Sequence, residues 1–151
     1  MNLSLIRILN VLIAGLLAGA LFGSWTGYNP AQLSLVAYVE QQQNAIRSLN
    51  TLMPVLGLIT ILLTIVAAFY QRTDKRVFIA LLFAAGLLLI SALVTKFGNQ
   101  PINSIVMTWT TSDYPPDWQD YRDRWWMLHV VRSGASVLAF LFITIYSVRR
   151  G

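Results

Sequence analysis

The sequence predicts an all-α fold, an integral membrane four-helix bundle with an extra outer helix leading into the second crossing. Composition is the first observation, because 56% of the 151 residues are hydrophobic and only 11% are charged, whereas soluble domains carry about 25% charged residues. The second is that four apolar segments each approach the roughly 20 residues that a helix needs to cross a bilayer. The third is that basic residues cluster at alternate ends of these segments, where they anchor membrane helices.

The order and close spacing of the four segments are typical of a helical bundle. A single transmembrane domain over residues 1–151 is therefore expected. Its crossings are predicted at about residues 5–25, 52–70, 77–95 and 125–146.

The first crossing has an alternative interpretation as a signal peptide. Arg7 would then be its basic flank, and the Ala-Gly-Ala sequence at residues 18–20 its cleavage site. However, the apolar run continues to Trp25, and glycines recur every four residues at Gly15, Gly19 and Gly23. Small residues at this spacing let a neighbouring helix approach closely, so the sequence favours a helix retained for packing.

The second crossing is predicted to be preceded by the extra outer helix. The segment at residues 32–53 follows a turn signal and contains neither glycine nor proline, so we expect a helix that runs on into the crossing. Pro54 would mark a first turn or a kink. Polar side chains recur along this helix at spacings of four, three and four residues, at Glu40, Asn44, Arg47 and Thr51. This polar face is either solvated or part of a site.

The third and fourth crossings are separated by a second outer connection. Asn99 and Asn103 lie four residues apart in it, either as turn formers or as amides that close a pocket. Pro115 and Pro116 should end any secondary-structure element that precedes them, and Asp117 is suited to cap the N-terminus of the next helix. The final helix should therefore begin near Trp118, about two turns outside the membrane.

Basic residues set the predicted orientation. Six of them fall on the same side if the chain crosses four times, and that side should be cytoplasmic. They are Arg7, Arg72, Lys75, Arg76, Arg149 and Arg150. Most acidic residues fall in the two longer connections, so we expect both termini in the cytoplasm and both long connections outside.

A stripe of polar and aromatic residues on the final helix is the main functional signal. Its spacings of four, three, four, three and four residues place all members on one helix face. They are Trp118, Arg122, Trp125, His129, Arg132 and Ser136. A histidine and an arginine inside a membrane helix are costly to bury, so His129 and Arg132 are expected to face a cavity and to be functional.

His129 is the only histidine of the chain. It cannot by itself form a zinc site, which usually needs three or four protein ligands, and haem binding has no other support in the sequence. Its ordinary pKa of about 6.5 suits a general base. The alternative is a structural histidine that is hydrogen-bonded inside the bundle.

Arg132 lies one turn deeper than His129 and must meet a carboxylate, carbonyls, water or a ligand. The sequence predicts a pocket at the outer membrane boundary, rich in cations and amides, that suits an anionic ligand or a developing oxyanion. Further polar residues expected in it are Glu40, Arg47, Lys96, Asn99, Asn103 and Arg122.

Trp118 and Trp125 share the face of Arg122 and His129, so they are expected to form a flat wall that binds a flat ligand.

The net charge is +5, but the basic residues are scattered along the chain and give no sign of nucleic-acid binding. Because the chain has no cysteine, it has neither a disulfide framework nor a thiolate metal site. Neither a metal site nor a cofactor is predicted.

The residues from Asn99 to Arg132 carry a family resemblance. The sequence Asn-Gln-Pro-Ile-Asn at residues 99–103 is followed by further polar and aromatic positions. These are Trp109, Pro116, Asp117, Trp118, Arg122, Arg124, Trp125, His129 and Arg132. This pattern resembles the anthrone oxygenase-like family of small four-helix membrane proteins. The resemblance implies that an anthrone-like substrate is oxidised by molecular oxygen with no metal or flavin.

The predicted function is a membrane-embedded, cofactor-independent oxygenase acting on a small anthrone- or quinol-like aromatic. His129 would be the base, Arg132 and Arg122 would stabilise the anion, and Trp118 and Trp125 would hold the ring. Two alternatives stay open. One is a non-catalytic module that binds a quinone, a lipid head group or another anion. The other is a structural membrane subunit whose polar stripe docks a partner.

Overall fold

The computed structural model describes residues 2–148, apart from the Val148 side chain, and contains no strand in that range. The helices are α1 (Leu3–Gly27), α2 (Leu35–Leu49), α3 (Leu52–Tyr70), α4 (Lys75–Val94), α5 (Gln100–Val106) and α6 (Trp118–Val148). A 3-10 turn at Pro30–Gln32 follows α1, and a π-helical turn at Thr95–Asn99 joins α4 to α5. The all-α prediction is confirmed.

Four stretches within this range are long and apolar enough to cross a membrane, which indicates an integral membrane protein. They are Leu3–Gln32, Leu52–Tyr70, Lys75–Val106 and Trp118–Ser147. Each contains or closely matches one predicted crossing. Arg149 and Arg150, on which the predicted orientation also rests, lie outside the described residues.

The four long helices pack as a square. α1 and α4 each contact both α3 and α6, so α1 lies diagonally opposite α4. Small side chains such as Ala14, Ala67, Ala84 and Ala139 are fully or almost fully buried at these contacts, which allows the helices to approach closely. Large apolar side chains point outwards and suit contact with lipid, among them Leu12, Leu16, Leu62 and Phe83.

The predicted glycine seam on α1 is only partly present. A Cβ at Gly15 would lie 3.3 Å from the Phe140 ring, so this glycine does permit a close approach to α6. Gly19 and Gly23 are exposed, and a Cβ on either would meet nothing within 4 Å. Buried alanines, rather than these glycines, therefore form the packing surface of α1.

The outer helix and the second crossing are separated where continuity was predicted. α2 begins after Ser34, whose Oγ accepts from the Ala37 N–H at 3.3 Å, and it ends at Leu49. Pro54 has no N–H to donate to the Asn50 carbonyl four residues earlier. Gln100 Nε2 lies 3.5 Å from that carbonyl oxygen and donates to it instead.

The third crossing is longer than predicted, because the helix continues past Thr95. Pro101 cannot donate to the carbonyl of residue 97. At the residue before Pro101 the hydrogen bonding has already shifted by one residue, because the Gln100 N–H donates to the Thr95 carbonyl, five residues earlier. This π-helical turn carries the chain into α5, so that Asn99 and Asn103 lie on helical turns rather than in a loop.

A second apolar cluster covers the end of the bundle where α2 lies, here called the α2 end. It is built from Tyr38, Val39, Ile46, Ile102, Val106, Trp109 and Trp125. Gln43 Nε2 donates to the carbonyls of Val106 and Trp109 at 3.0 and 2.9 Å. These bonds hold α2 against the end of α5. The helix α6 begins at Trp118, as predicted, and joins this cluster to the bundle.

Candidate functional site

A cavity of about 330 Å³ lies between the apolar cluster at the α2 end and the bundle. The C-terminal end of α1, the inner face of α2, the start of α3 and the middle of α6 form its walls. Its polar and aromatic lining consists of Ser24, Tyr28, Gln41, Gln42, Asn44, Asn50, Thr95, Asn103, Trp125, His129 and Arg132. Its volume lies at the lower end of the roughly 300–1,000 Å³ of typical ligand pockets.

Arg132 and His129 form the polar centre of the cavity. Nη2 and Nε of Arg132 lie 3.0 and 3.2 Å from Nδ1 of His129. Because a guanidinium can only donate, Nδ1 must accept, so it carries no proton. Nε2 of the neutral ring then carries the proton and lies 3.5 Å from Ser133 Oγ.

The charge of Arg132 is met by neutral groups. Its Nη1 lies 3.3 Å from Thr95 Oγ1, and its guanidinium carbon lies 5.8 Å from the centre of the Trp125 ring, within cation–π range. The one ion pair found within residues 2–148 joins Arg122 to Asp123. Arg132 is thus a cation in a membrane helix with no carboxylate partner in the described chain, and an anion in the cavity would meet an unbalanced charge.

Two tryptophans hold the His129 ring. Trp125 lies one turn before it, and the two rings stack with centroids 5.0 Å apart and planes 5° apart. The Trp126 ring is 5.6 Å away and inclined by 24°. His129 is only 1% exposed as a result.

A chain of amides fixes Trp125. Its Nε1 donates to Asn103 Oδ1 at 2.8 Å, and Asn103 Nδ2 donates to Asn50 Oδ1 at 2.9 Å. Asn99 Nδ2 donates to the Trp125 carbonyl at 3.0 Å. The π-helical turn and α5 therefore present Asn99 and Asn103 to α6, and through Trp125 they position His129.

Four predicted site residues line this cavity together: Asn103, Trp125, His129 and Arg132. Asn99 is fully buried behind Trp125 and supports it without lining the cavity. Ser136, the last member of the stripe, donates to Ser91 Oγ at 2.9 Å and joins α6 to α4.

The outer part of the stripe does not reach the cavity. Arg122 Nε donates to Asp123 at 2.8 Å, and its guanidinium carbon lies 5.1 Å from the Trp118 ring centre. Trp118 packs on Tyr38, with ring centroids 5.7 Å apart. Burial raises the pKa of the Tyr38 phenol, which therefore stays neutral. The stripe is about 27 Å long, too long for all its members to share one cavity.

The two charged residues predicted on α2 are also outside the cavity. Glu40 and Arg47 are both exposed, and neither is among the residues that line it. Arg47 Nη2 donates to Gln43 Oε1 at 3.0 Å, one turn earlier on the same helix. Lys96 is exposed and lines a neighbouring cavity instead.

Sequence reasoning missed several polar residues of the cavity. Tyr28 OH donates to Gln42 Oε1 at 3.2 Å, which ties the end of α1 to α2. Gln42 is 1% exposed and lies on the buried face of α2, between Tyr38 and Ile46 at spacings of four residues. The contact could have been predicted from Gln42 itself, because a glutamine on an otherwise apolar helix face needs a polar partner.

A protein-family model described as anthrone oxygenase matches residues 43–142 of the chain. The match covers about two thirds of the sequence and contains Asn103, Trp125, His129 and Arg132. The chain belongs to the anthrone oxygenase family. The resemblance predicted from residues 99–132 is confirmed. No curated protein and no solved structure matches the chain.

The site of this anthrone oxygenase family member therefore combines a half-buried cation, a neutral imidazole, an indole wall and several amides. Within residues 2–148, no three His, Cys, Asp or Glu side chains are grouped so that they could hold a metal ion. In chemical terms, the cavity offers hydrogen-bond donors from the Arg132 guanidinium and the amides, and the aromatic surface of Trp125.

Proposed function

We propose that this protein is a membrane-embedded, cofactor-independent oxygenase that acts on a small anthrone- or quinol-like aromatic in the cavity at the α2 end. The observation that carries the proposal is Arg132, a cation without a carboxylate partner in the described chain, beside the Trp125 ring. Family membership agrees with this chemistry, although a fold can host several functions.

Arg132 has the central role in this proposal. An anthrone or quinol becomes an oxyanion when it loses a proton, and a guanidinium donates to an oxyanion through two N–H groups at once. In a site with little water, such a donor stabilises developing charge strongly. The Trp125 indole, held by Asn103, would support the flat face of the ring.

His129 is proposed as the base, acting only when substrate is bound. Its Nδ1 is unprotonated, as a base requires, but its lone pair accepts from Arg132. A substrate oxygen that accepts from Arg132 would draw the guanidinium away from the imidazole. Nδ1 of His129 would then be free to take a proton from the substrate. Substrate binding would in this way activate the base.

The proposed oxidation uses molecular oxygen as the only oxidant. With an anthrone, His129 takes a proton from the ring CH2, and the resulting anion gives one electron to oxygen. The substrate radical and superoxide combine to a peroxide anion, which takes the proton back from His129 and becomes a hydroperoxide. Loss of water then leaves a carbonyl, so the CH2 group and O2 become C=O and H2O.

The remaining predicted residues have supporting roles in this proposal. Arg122 and Trp118 stabilise the apolar cluster, because Arg122 lies over the Trp118 ring and Trp118 packs on Tyr38. Asn99 holds the backbone of Trp125. Glu40 and Arg47 lie on the exposed face of α2, where they meet the solvated side of the protein. We also propose that the α2 end faces away from the cytoplasm.

The test is incorporation of isotope-labelled oxygen gas into anthraquinone by purified protein in nanodiscs with anthrone supplied. Label in the new carbonyl and consumption of one O2 per product are expected, with a metal chelator present throughout. Activity that chelation removes and added metal restores would contradict the cofactor-free reaction.

A binding module for an aromatic anion is the second candidate, and the burial of His129 favours it. With 1% of its surface exposed, the imidazole would serve chiefly to hold Arg132. Saturable binding of anthraquinone, together with no oxygen consumption when anthrone is supplied, would support this function over the oxygenase.

A further inference from the structure

A second cavity of about 270 Å³ continues from the first one into the bundle. The two share five lining residues: Leu21, Met53, Pro54, Thr95 and Arg132. Arg132 therefore lies at the junction of the two cavities. A molecule whose acidic group meets Arg132 can extend into both.

The second cavity differs from the first in chemistry. Along α3 it extends from Met53 to Ile61, which is about 12 Å of helix. Most of its wall is aliphatic, and its polar residues lie at the Arg132 end, near the π-helical turn. Such a surface suits alkyl groups, because a tail that fits the packed wall gains dispersion contacts that a poorly filled cavity lacks.

The second cavity also reaches the lipid-facing surface. Leu58 of α3 and Leu89 of α4 both line it, and they are 58% and 51% exposed. Both lie within stretches that are apolar enough to cross a membrane. The cavity thus opens sideways between α3 and α4, at the depth of the bilayer.

We infer that the ligand of this protein carries an apolar tail, which lies in the second cavity while its acidic aromatic head lies beside Arg132. This inference rests on the proposed function and narrows its substrate class to lipid-soluble anthrones or quinols with an alkyl or isoprenoid substituent. Such a molecule partitions into the bilayer and can enter between α3 and α4. A compact three-ring anthrone would use the first cavity only.

Gly57 allows the tail site to be filled without disturbing the head site. It lines the second cavity but not the first, and a Cβ built on it meets nothing within 4 Å. Gly57→Leu should therefore place its side chain in the second cavity. Gly86→Leu is the matched control, because Gly86 lines neither cavity and a Cβ there also meets nothing within 4 Å.

The experiment compares two probes, an acidic hydroxynaphthoquinone and its decyl derivative, by quenching of tryptophan fluorescence in nanodiscs. Relative to the Gly86→Leu control, Gly57→Leu should weaken binding of the decyl derivative by roughly tenfold, since overpacking an occupied site typically costs about that factor. Binding of the compact probe should be the same in both variants. Partition of a given probe into lipid does not affect this comparison, because both variants are measured in the same nanodiscs.

The outcomes separate the two proposals. Binding of the compact probe with no preferential loss of the decyl derivative in Gly57→Leu would overturn the tail site and leave the proposed function standing. An equal loss for both probes would also overturn the tail site, because Gly57→Leu would then act on the head site. Absence of binding of either probe to the wild-type protein would overturn the proposed function together with this inference.

Discussion

Arg132 donates to Nδ1 of His129, with its Nη2 3.0 Å from that atom. The contact fixes both partners, since the guanidinium determines which imidazole nitrogen lacks a proton and the imidazole holds the guanidinium against Trp125. The contact is compatible with two roles for His129. In one, His129 is a base that becomes free when Arg132 moves to the substrate. In the other, His129 only keeps Arg132 in place.

His129→Asn separates these two roles. The amide of asparagine can offer an oxygen near the position of Nδ1 and so continue to accept from Arg132, but it cannot take up a proton. If His129 is the base, oxygen uptake with anthrone should fall by about 10²–10⁴. The affinity for anthraquinone, measured by fluorescence quenching, should change little. Retention of the turnover rate in this variant would show that His129 only positions Arg132.

Trp125→Phe tests the amide chain behind the site. The phenyl ring keeps an aromatic surface against His129, but it leaves Asn103 Oδ1 without the donor that now lies 2.8 Å away. Loss of a buried hydrogen bond typically costs about 1–3 kcal/mol, so weaker ligand binding and a lower unfolding temperature in detergent are expected.

Trp126→Phe is the control for this substitution. Trp126 also packs on His129, at 5.6 Å, but its indole does not contact Asn103 in the described structure. Equal effects of the two substitutions on binding would contradict a positioning role for the hydrogen bond between Trp125 and Asn103.

The orientation is tested with single cysteines, for which the chain is well suited because it contains none. Asp113 lies in the connection before α6 and Thr73 in the turn between α3 and α4, and both are exposed. A membrane-impermeant maleimide added to intact cells should label Asp113→Cys, and it should label Thr73→Cys only after permeabilisation. The reverse pattern would place the α2 end in the cytoplasm.

The crossings could be predicted from sequence because the length of an apolar segment is set by the thickness of the bilayer. The end of the third crossing and the break before the second could not be predicted, because they depend on local hydrogen bonding. At Pro101, which lacks an N–H, a π-helical turn accommodates the missing hydrogen bond and the chain continues as a helix. At Pro54, which also lacks an N–H, the Asn50 carbonyl accepts from Gln100 instead, and α2 is separate from α3. Nothing in the residue types distinguishes these two outcomes.

The part of the site that lies on a single helix could be predicted from the sequence. The spacing of Trp125, His129 and Arg132 places them on one face of α6, and the structure puts all three around one cavity. Helix periodicity gives no limit to the length of such a face, so it also included Trp118 and Arg122. The contact between Tyr28 and Gln42 depends on how the chain turns after α1, which periodicity cannot describe.

Oxygen uptake by Arg132 variants tests whether Arg132 stabilises the substrate anion. Arg132→Gln removes the charge, and Arg132→Lys keeps the charge but loses the planar pair of donors. With anthrone as substrate in nanodiscs, we expect Arg132→Gln to lower the rate by about 10²–10³, as loss of an oxyanion donor typically does, and Arg132→Lys to be impaired as well. Arg124→Gln, at an exposed position of the same helix, should retain the wild-type rate. Wild-type uptake by folded Arg132→Gln would contradict the account.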